Sequence, residues 1–161
     1  MDAESTHELT HIDPQGRARM VDVSPKEPTR RRAVARCEVV MEPGTVAKIA
    51  SNEMAKGDVL AVARVAGIQG AKQTSQLIPL CHQLNISSVL VSFSLESDRV
   101  LVESVVDVID RTGVEMEAMT ACAVAALTIY DMCKAVDRSI TIGDLKLWEK
   151  TGGRSGTYRR E

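Results

Sequence analysis

A chain of 161 residues with 44% hydrophobic and 26% charged side chains has the length and make-up of one folded domain. A formal net charge of -2 argues against a general nucleic-acid or membrane surface, and a 2% aromatic content requires an aliphatic core. No stretch approaches the roughly 18 apolar residues that span a bilayer, and the polar start from Met1 to Glu8 lacks an apolar signal core, so a cytoplasmic protein is expected.

Residues 1–32 are polar, carry Pro14, Pro25 and Pro28, and end in Arg30-Arg31-Arg32; they read as a flexible N-terminal arm that a ligand or partner would order. Ala33 to Met41 alternates loosely and predicts a first strand. Pro43-Gly44 interrupts it, and Thr45 to Ala55 reads as a helix closed near Gly57. Asp58 suits the N-cap of a second helix from Val59 to Gly67, continuing brokenly through Leu77, before a loop over Pro79 to Leu84. Ile86 to Leu95 and Arg99 to Ile109 flank the turn Glu96-Ser97-Asp98 as a hairpin. Thr112-Gly-Val-Glu115 has the form of a capping box opening a long helix, about Val114 to Val136, whose alanines permit close approach of a neighbour. Ile140 to Glu149, broken by Gly143, predicts a last strand before the Gly-rich basic tail 151–161. The order suggests an α+β fold, a ferredoxin-like βαββαβ sandwich over residues 33–150 with helices on one face of an antiparallel sheet. Cys37, Cys81, Cys122 and Cys133 lack CxxC spacing and read as buried free thiols; no metal-ligand spacing is visible.

Several polar side chains stand out against this scaffold. Glu115 has a structural use in the capping box, whereas Glu117, among Met116, Ala118 and Met119, either faces solvent or serves a function. Asp131 and Lys134 are neighbours on one helical face: an ordinary surface pair, or a lysine held for proton transfer. Lys56 alone reads as a solvated lysine at a helix C-terminus, and His82 as either a hydrogen-bonded structural histidine or an acid–base group. Arg30 to Arg32, and Lys150 with Arg154 among tail glycines, form two basic clusters suited to phosphate, although KTGGRSG is not a Walker A loop. By themselves these residues point no further than a candidate site for a phosphorylated small molecule.

Taken together, LTHID at 9–13, MVDVS at 20–24, KGDVLAVARVAGIQGAK at 56–72, LIPLCH at 77–82, TGVEMEAMTACAVAALTIYDMCKA at 112–135 and KTGGRSG at 150–156 closely resemble the cyclic pyranopterin monophosphate synthases. The blocks run in the expected order along nearly the whole chain. The resemblance implies a lyase of molybdenum-cofactor biosynthesis that rebuilds a cyclised dihydroguanosine triphosphate, supplied by a radical GTP cyclase, and expels diphosphate. It implies no cofactor, with Mg²⁺ accompanying the triphosphate left open. It makes Lys56 and Lys134 the leading proton-transfer groups, positioned by Asp131, and each lysine would need a lowered pKa to act as a base. His82, with Leu80, Cys81, Glu115, Met116 and Glu117, would line the substrate. Asp22 would contact the reacting region, and Arg31, Lys150 and Arg154 the phosphates. Gln83, Arg19 and Arg111 depart from the commoner pattern, which bears on loop conformation. The family's symmetric oligomers imply a homohexamer, a trimer of dimers with sites at the dimer interface. Glu117 and Lys134, about 25 Å apart along one helix, could then meet only across two chains.

Two other functions fit such a scaffold less well. An RNA-binding sheet needs exposed aromatics, and Phe93 is the only Phe while Tyr130 and Tyr158 lie off the central strands. A non-catalytic nucleotide sensor would keep phosphate ligands but has little use for Lys56 and Lys134.

Overall fold

Small apolar side chains alternating with polar ones build the sheet of the computed structural model, which describes residues 12–161. In β1 (Thr29–Val40) the buried Ala33, Ala35, Cys37 and Val39 alternate with Arg32, Val34, Arg36 and Glu38. β3 (Arg99–Asp110) repeats the pattern with Val100, Val102, Ser104, Val106 and Val108, and pairs antiparallel with β1 from Thr29 opposite Asp110 to Val40 opposite Arg99. β2 (Ser88–Leu95) extends the sheet beyond β3, while β4 (Thr141–Thr151) and the short β5 (Tyr158–Arg159) extend it beyond β1. The order is β2-β3-β1-β4-β5, antiparallel throughout.

Among the described residues four helices complete the fold: α1 (Pro43–Ala50), α2 (Val59–Lys72), α3 (Thr74–Leu77) and α4 (Glu115–Cys133). α4 lies over β1, β3 and β4, and α2 packs beside it. Ala118, Ala121, Cys122, Ala125, Ala126 and Ile129 of α4 are all fully buried. The helices meet closely because α2 offers glycines: a Cβ on Gly67 would stand 2.9 Å from the Ala121 carbonyl oxygen. This is the ferredoxin-like sandwich that the sequence suggests. α4 is long and apolar enough to cross a membrane by length and composition alone, but more than half of it is buried, as in a core helix. Cys37, Cys122 and Cys133 are buried free thiols, and Cys81 is half-buried.

Local boundaries differ from expectation in instructive ways. β1 begins at Thr29, so Arg30, Arg31 and Arg32 belong to a central strand rather than to the arm. Arg32 is held there by Asp107 on β3 at 2.9 Å, a pairing that compensates a polar run with no hydrophobic pattern. Residues 1–11 of the expected arm lie outside the described residues. The capping box does not form: Val114 is the N-cap of α4 and no side chain caps it, which leaves Glu115 to turn elsewhere. Asp58 does cap α2, accepting from the Ala61 N–H at 2.9 Å. α1 starts at Pro43, whose fixed φ suits a first turn. β4 runs continuously past Gly143, absorbing irregular register near Arg36 and Glu38 with Asp144 at φ 53°. The tail turns back so that β5 pairs with β4.

Candidate active site

The loop before α4, the loop after α3 and the arm segment from Val21 to Lys26 enclose a pocket of about 270 Å³. Leu80, Cys81, His82, Glu115, Met116 and Glu117 all line it. His82 Nε2 lies 2.8 Å from Val21 O, and since a carbonyl only accepts, Nε2 carries hydrogen and donates. Asp22 turns back on its own segment, accepting from the Ser24 hydroxyl at 2.6 Å and the Ser24 N–H at 2.9 Å. Those bonds, the hydroxyl's first, hold its carboxyl below the usual range, so it is an anion at neutral pH.

Glu117 behaves in the opposite way. It is 4% exposed, and loss of solvent, with the Glu115 charge adding to it, pushes its carboxyl up to about 7. A carboxyl titrating there can give or take a proton near neutral pH. Cys81 is also shifted upward by burial and by the Glu117 charge, which keeps it a neutral thiol.

Beside this pocket lies a second cavity of about 580 Å³, bordered by Arg31, Arg154 and Ser155. Arg31 donates from Nε to Asp110 O and from Nη2 to Arg111 O, both at 3.0 Å, so its guanidinium is aimed without being neutralised. Gly152 and Gly153, at φ 93° and 74°, let the tail fold over it; a Cβ on Gly153 would collide with the guanidinium. Lys150 Nζ stands 3.5 Å from Glu115 Oε1 and bonds the Ser155 hydroxyl, linking the two cavities. The fold therefore brings Arg31 of β1 and the basic tail to one cavity.

The third group lies at the far end of α4. Asp131 accepts from Lys134 Nζ at 2.7 Å and from Lys56 Nζ at 2.8 Å, and the Lys56 ammonium also reaches Asp131 O at 3.0 Å. Two ammonium groups on one carboxylate, Lys134 first, pull Asp131 down to about 2. The Lys134 pKa is raised by Asp131, opposite to the lowering that a free base would need. Within the chain Lys134 is therefore held as an ammonium. Lys56 arrives through the turn at Gly57, φ 89°, and Asp131 lies 75 residues further along the chain, so no local pattern shows their meeting.

The candidate residues thus fall into two separate groups. Glu117 and Asp131 sit at opposite ends of α4, about 21 Å apart at 1.5 Å per residue. Among the described residues no cluster of three or more His, Cys, Asp and Glu is placed to hold a metal ion. Lys26, which borders both cavities, was not singled out by sequence; it lies just beyond MVDVS in no recognisable pattern.

Known proteins match this chain along most of its length. A profile of the MoaC family matches residues 20–153. A curated cyclic pyranopterin monophosphate synthase from Desulfitobacterium hafniense is 56% identical over 155 residues, covering 96% of this chain and 95% of the relative. One from Chloroflexus aurantiacus is 55% identical over 160 residues, 98% of each chain. Cyclic pyranopterin monophosphate synthase 3 from Mycobacterium tuberculosis H37Rv is 58% identical over 153 residues, 94% of this chain and 86% of the relative. With the profile spanning most of the chain and the relatives nearly all of it, this chain belongs to the MoaC family.

Proposed function

We propose that this chain is a cyclic pyranopterin monophosphate synthase. It would convert (8S)-3',8-cyclo-7,8-dihydroguanosine 5'-triphosphate to cyclic pyranopterin monophosphate and diphosphate in molybdenum-cofactor biosynthesis. The observation that carries this reading is the single carboxylate of Asp131 holding both Lys56 and Lys134, in a chain whose relatives bear that enzyme's name.

The conversion opens and rebuilds rings and closes a cyclic phosphate, with no net redox change. Its needs are proton transfer at several atoms and anchoring of a triphosphate. Lys134 enters as an acid and becomes a base after delivering its proton, with Asp131 keeping it and Lys56 in place. Glu117 and His82 hold and protonate the ring system, with Leu80, Cys81, Glu115 and Met116 forming the walls and Asp22 near the reacting region. Arg31, Lys150 and Arg154 bind phosphate oxygens while a substrate hydroxyl attacks the α-phosphorus and the bond to the β-phosphate oxygen breaks. No resident cofactor is assigned, and Mg²⁺ enters, if at all, with the triphosphate. The reading includes a cytoplasmic location, a radical GTP cyclase supplying the substrate, and a homohexamer built from dimers whose interfaces unite the two groups.

Incubation with the cyclised substrate while diphosphate is followed tests this directly, with and without a chelator. Lys134→Ala should lower turnover at least about a hundredfold, the usual scale of acid–base catalysis, with affinity much less changed. Tight substrate binding without diphosphate release by the wild type would instead make the chain a sensor.

A further inference from the structure

Lys26 alone borders both cavities of the first group. Its neighbours in the larger cavity are Arg31 and Arg154, and the three have no carboxylate partner among the described residues. Glu27 is the one carboxylate on that cavity's wall, and Lys150 is already shared with Glu115. Other basic side chains around the sheet are matched, as Arg32 is by Asp107, Arg36 by Glu103 and Lys146 by Asp144. Positive charge is left uncompensated where the two cavities meet.

A second residue, Arg111, holds the Lys26 backbone. Its N–H donates to Val23 O at 3.0 Å, closing a turn, and its carbonyl accepts from Arg111 Nε at 2.8 Å. The Arg111 carbonyl in turn accepts from Arg31 Nη2 at 3.0 Å. Arg111 is exposed and borders neither cavity, and its guanidinium meets the Lys26 backbone instead.

We propose that Arg111 is a positioning residue for phosphate binding. It fixes the Val23–Lys26 turn so that the Lys26 ammonium stands on the ridge between the cavities and meets the phosphate chain as it leaves the ring pocket. The proposal rests on the synthase reading for its substrate. A lysine is suited to this place because its compact charge donates in three directions to oxygens passing on either side. Fixing its backbone beforehand reduces the ordering that binding must impose.

Equilibrium binding of inorganic tripolyphosphate, together with turnover of the cyclised substrate, tests the idea. Lys26→Gln should weaken tripolyphosphate about tenfold or more, as expected for a charge-assisted contact. Arg111→Ala should weaken it severalfold, raise KM more than it lowers kcat, and be largely rescued by Arg111→Lys, which can still reach the carbonyl. Combining Arg111→Ala with Lys26→Gln should be no worse than Lys26→Gln alone, because one acts through the other. Unchanged tripolyphosphate affinity in Lys26→Gln overturns the proposal, as do losses that simply add. A wild type that binds tripolyphosphate in this pattern but releases no diphosphate supports the proposal's binding half while refuting the synthase reading.

Discussion

Glu117 is a carboxyl deprived of water in the first turn of α4, while Asp131 near the other end is a carboxylate gripped by two ammonium groups. One helix thus presents a proton-holding acid at one end and a fixed anion at the other. Burial of Glu117 has a measurable consequence. Its folded pKa, about 7, is raised above the ordinary glutamate value of 4.5, so the folded protein holds a proton that the unfolded chain releases between those values. The associated stability is fully present below the unfolded pKa and lost as pH rises through the folded one. The loss is on the order of 2–3 kcal/mol between about pH 4.5 and 7. Glu117→Gln should remove that slope and gain on the wild type as pH rises. Denaturant titrations at pH 5 and pH 8 check this; parallel behaviour of the two proteins would show that Glu117 is ionised in the folded state. Sequence alone left Glu117 between a surface and a functional role, because the helix phase that buries it depends on where Val114 starts the turn. The Asp131–Lys134 pair was readable from spacing, whereas Lys56 required the fold to bring distant segments together.

At the scale of elements, periodicity made most of the sandwich legible, since alternating Val and Ala in β1 and β3 has one good solution. What stayed hidden was structure held by side-chain pairing. The start of β1 rests on Arg32 and Asp107 rather than on apolar contacts, and the Thr112–Glu115 motif matched a cap that the helix does not use. Close approach of α2 and α4 was half visible, from the alanines of one and the glycines of the other. Gly67→Ala should gain roughly 1 kcal/mol in helix propensity and lose about 1–3 kcal/mol by overpacking. Overpacking should win, because the nearest obstacle is the Ala121 backbone carbonyl, which cannot rotate away. A net loss of up to about 2 kcal/mol is expected in urea at fixed protein concentration. Gly44→Ala in α1, where nothing lies within 4 Å of the added Cβ, is the control and should be neutral or stabilising. Equal stability of Gly67→Ala and the control would mean that the interhelical seam has slack.

For the whole molecule, the separation of Glu117 from the Asp131 group decides how the two can share one reaction. Lys134, the C-cap of α4, is about 25 Å along the helix axis from Glu117, beyond the reach of one reacting centre. If both act on the same substrate, a second α4 must run antiparallel to the first, so that each site takes Glu117 from one chain and Lys134 from the other. A two-fold axis then produces two equivalent composite sites. Apolar side chains left exposed on the helical layer, among them Val62 and Val65 of α2 and Leu127 of α4, agree with a covered surface there. Complementation between dead variants tests the arrangement. Glu117→Ala and Lys134→Ala should each be inactive alone. After subunit exchange, random pairing makes half the dimers mixed, and each mixed dimer has one site with both residues intact and one with neither. Activity should therefore return to about a quarter of the wild-type sites. Mass spectrometry of the exchanged sample confirms that mixed dimers form. If they form and stay inactive, Glu117 and Lys134 do not meet across the interface, and the reaction must run within one of the two groups.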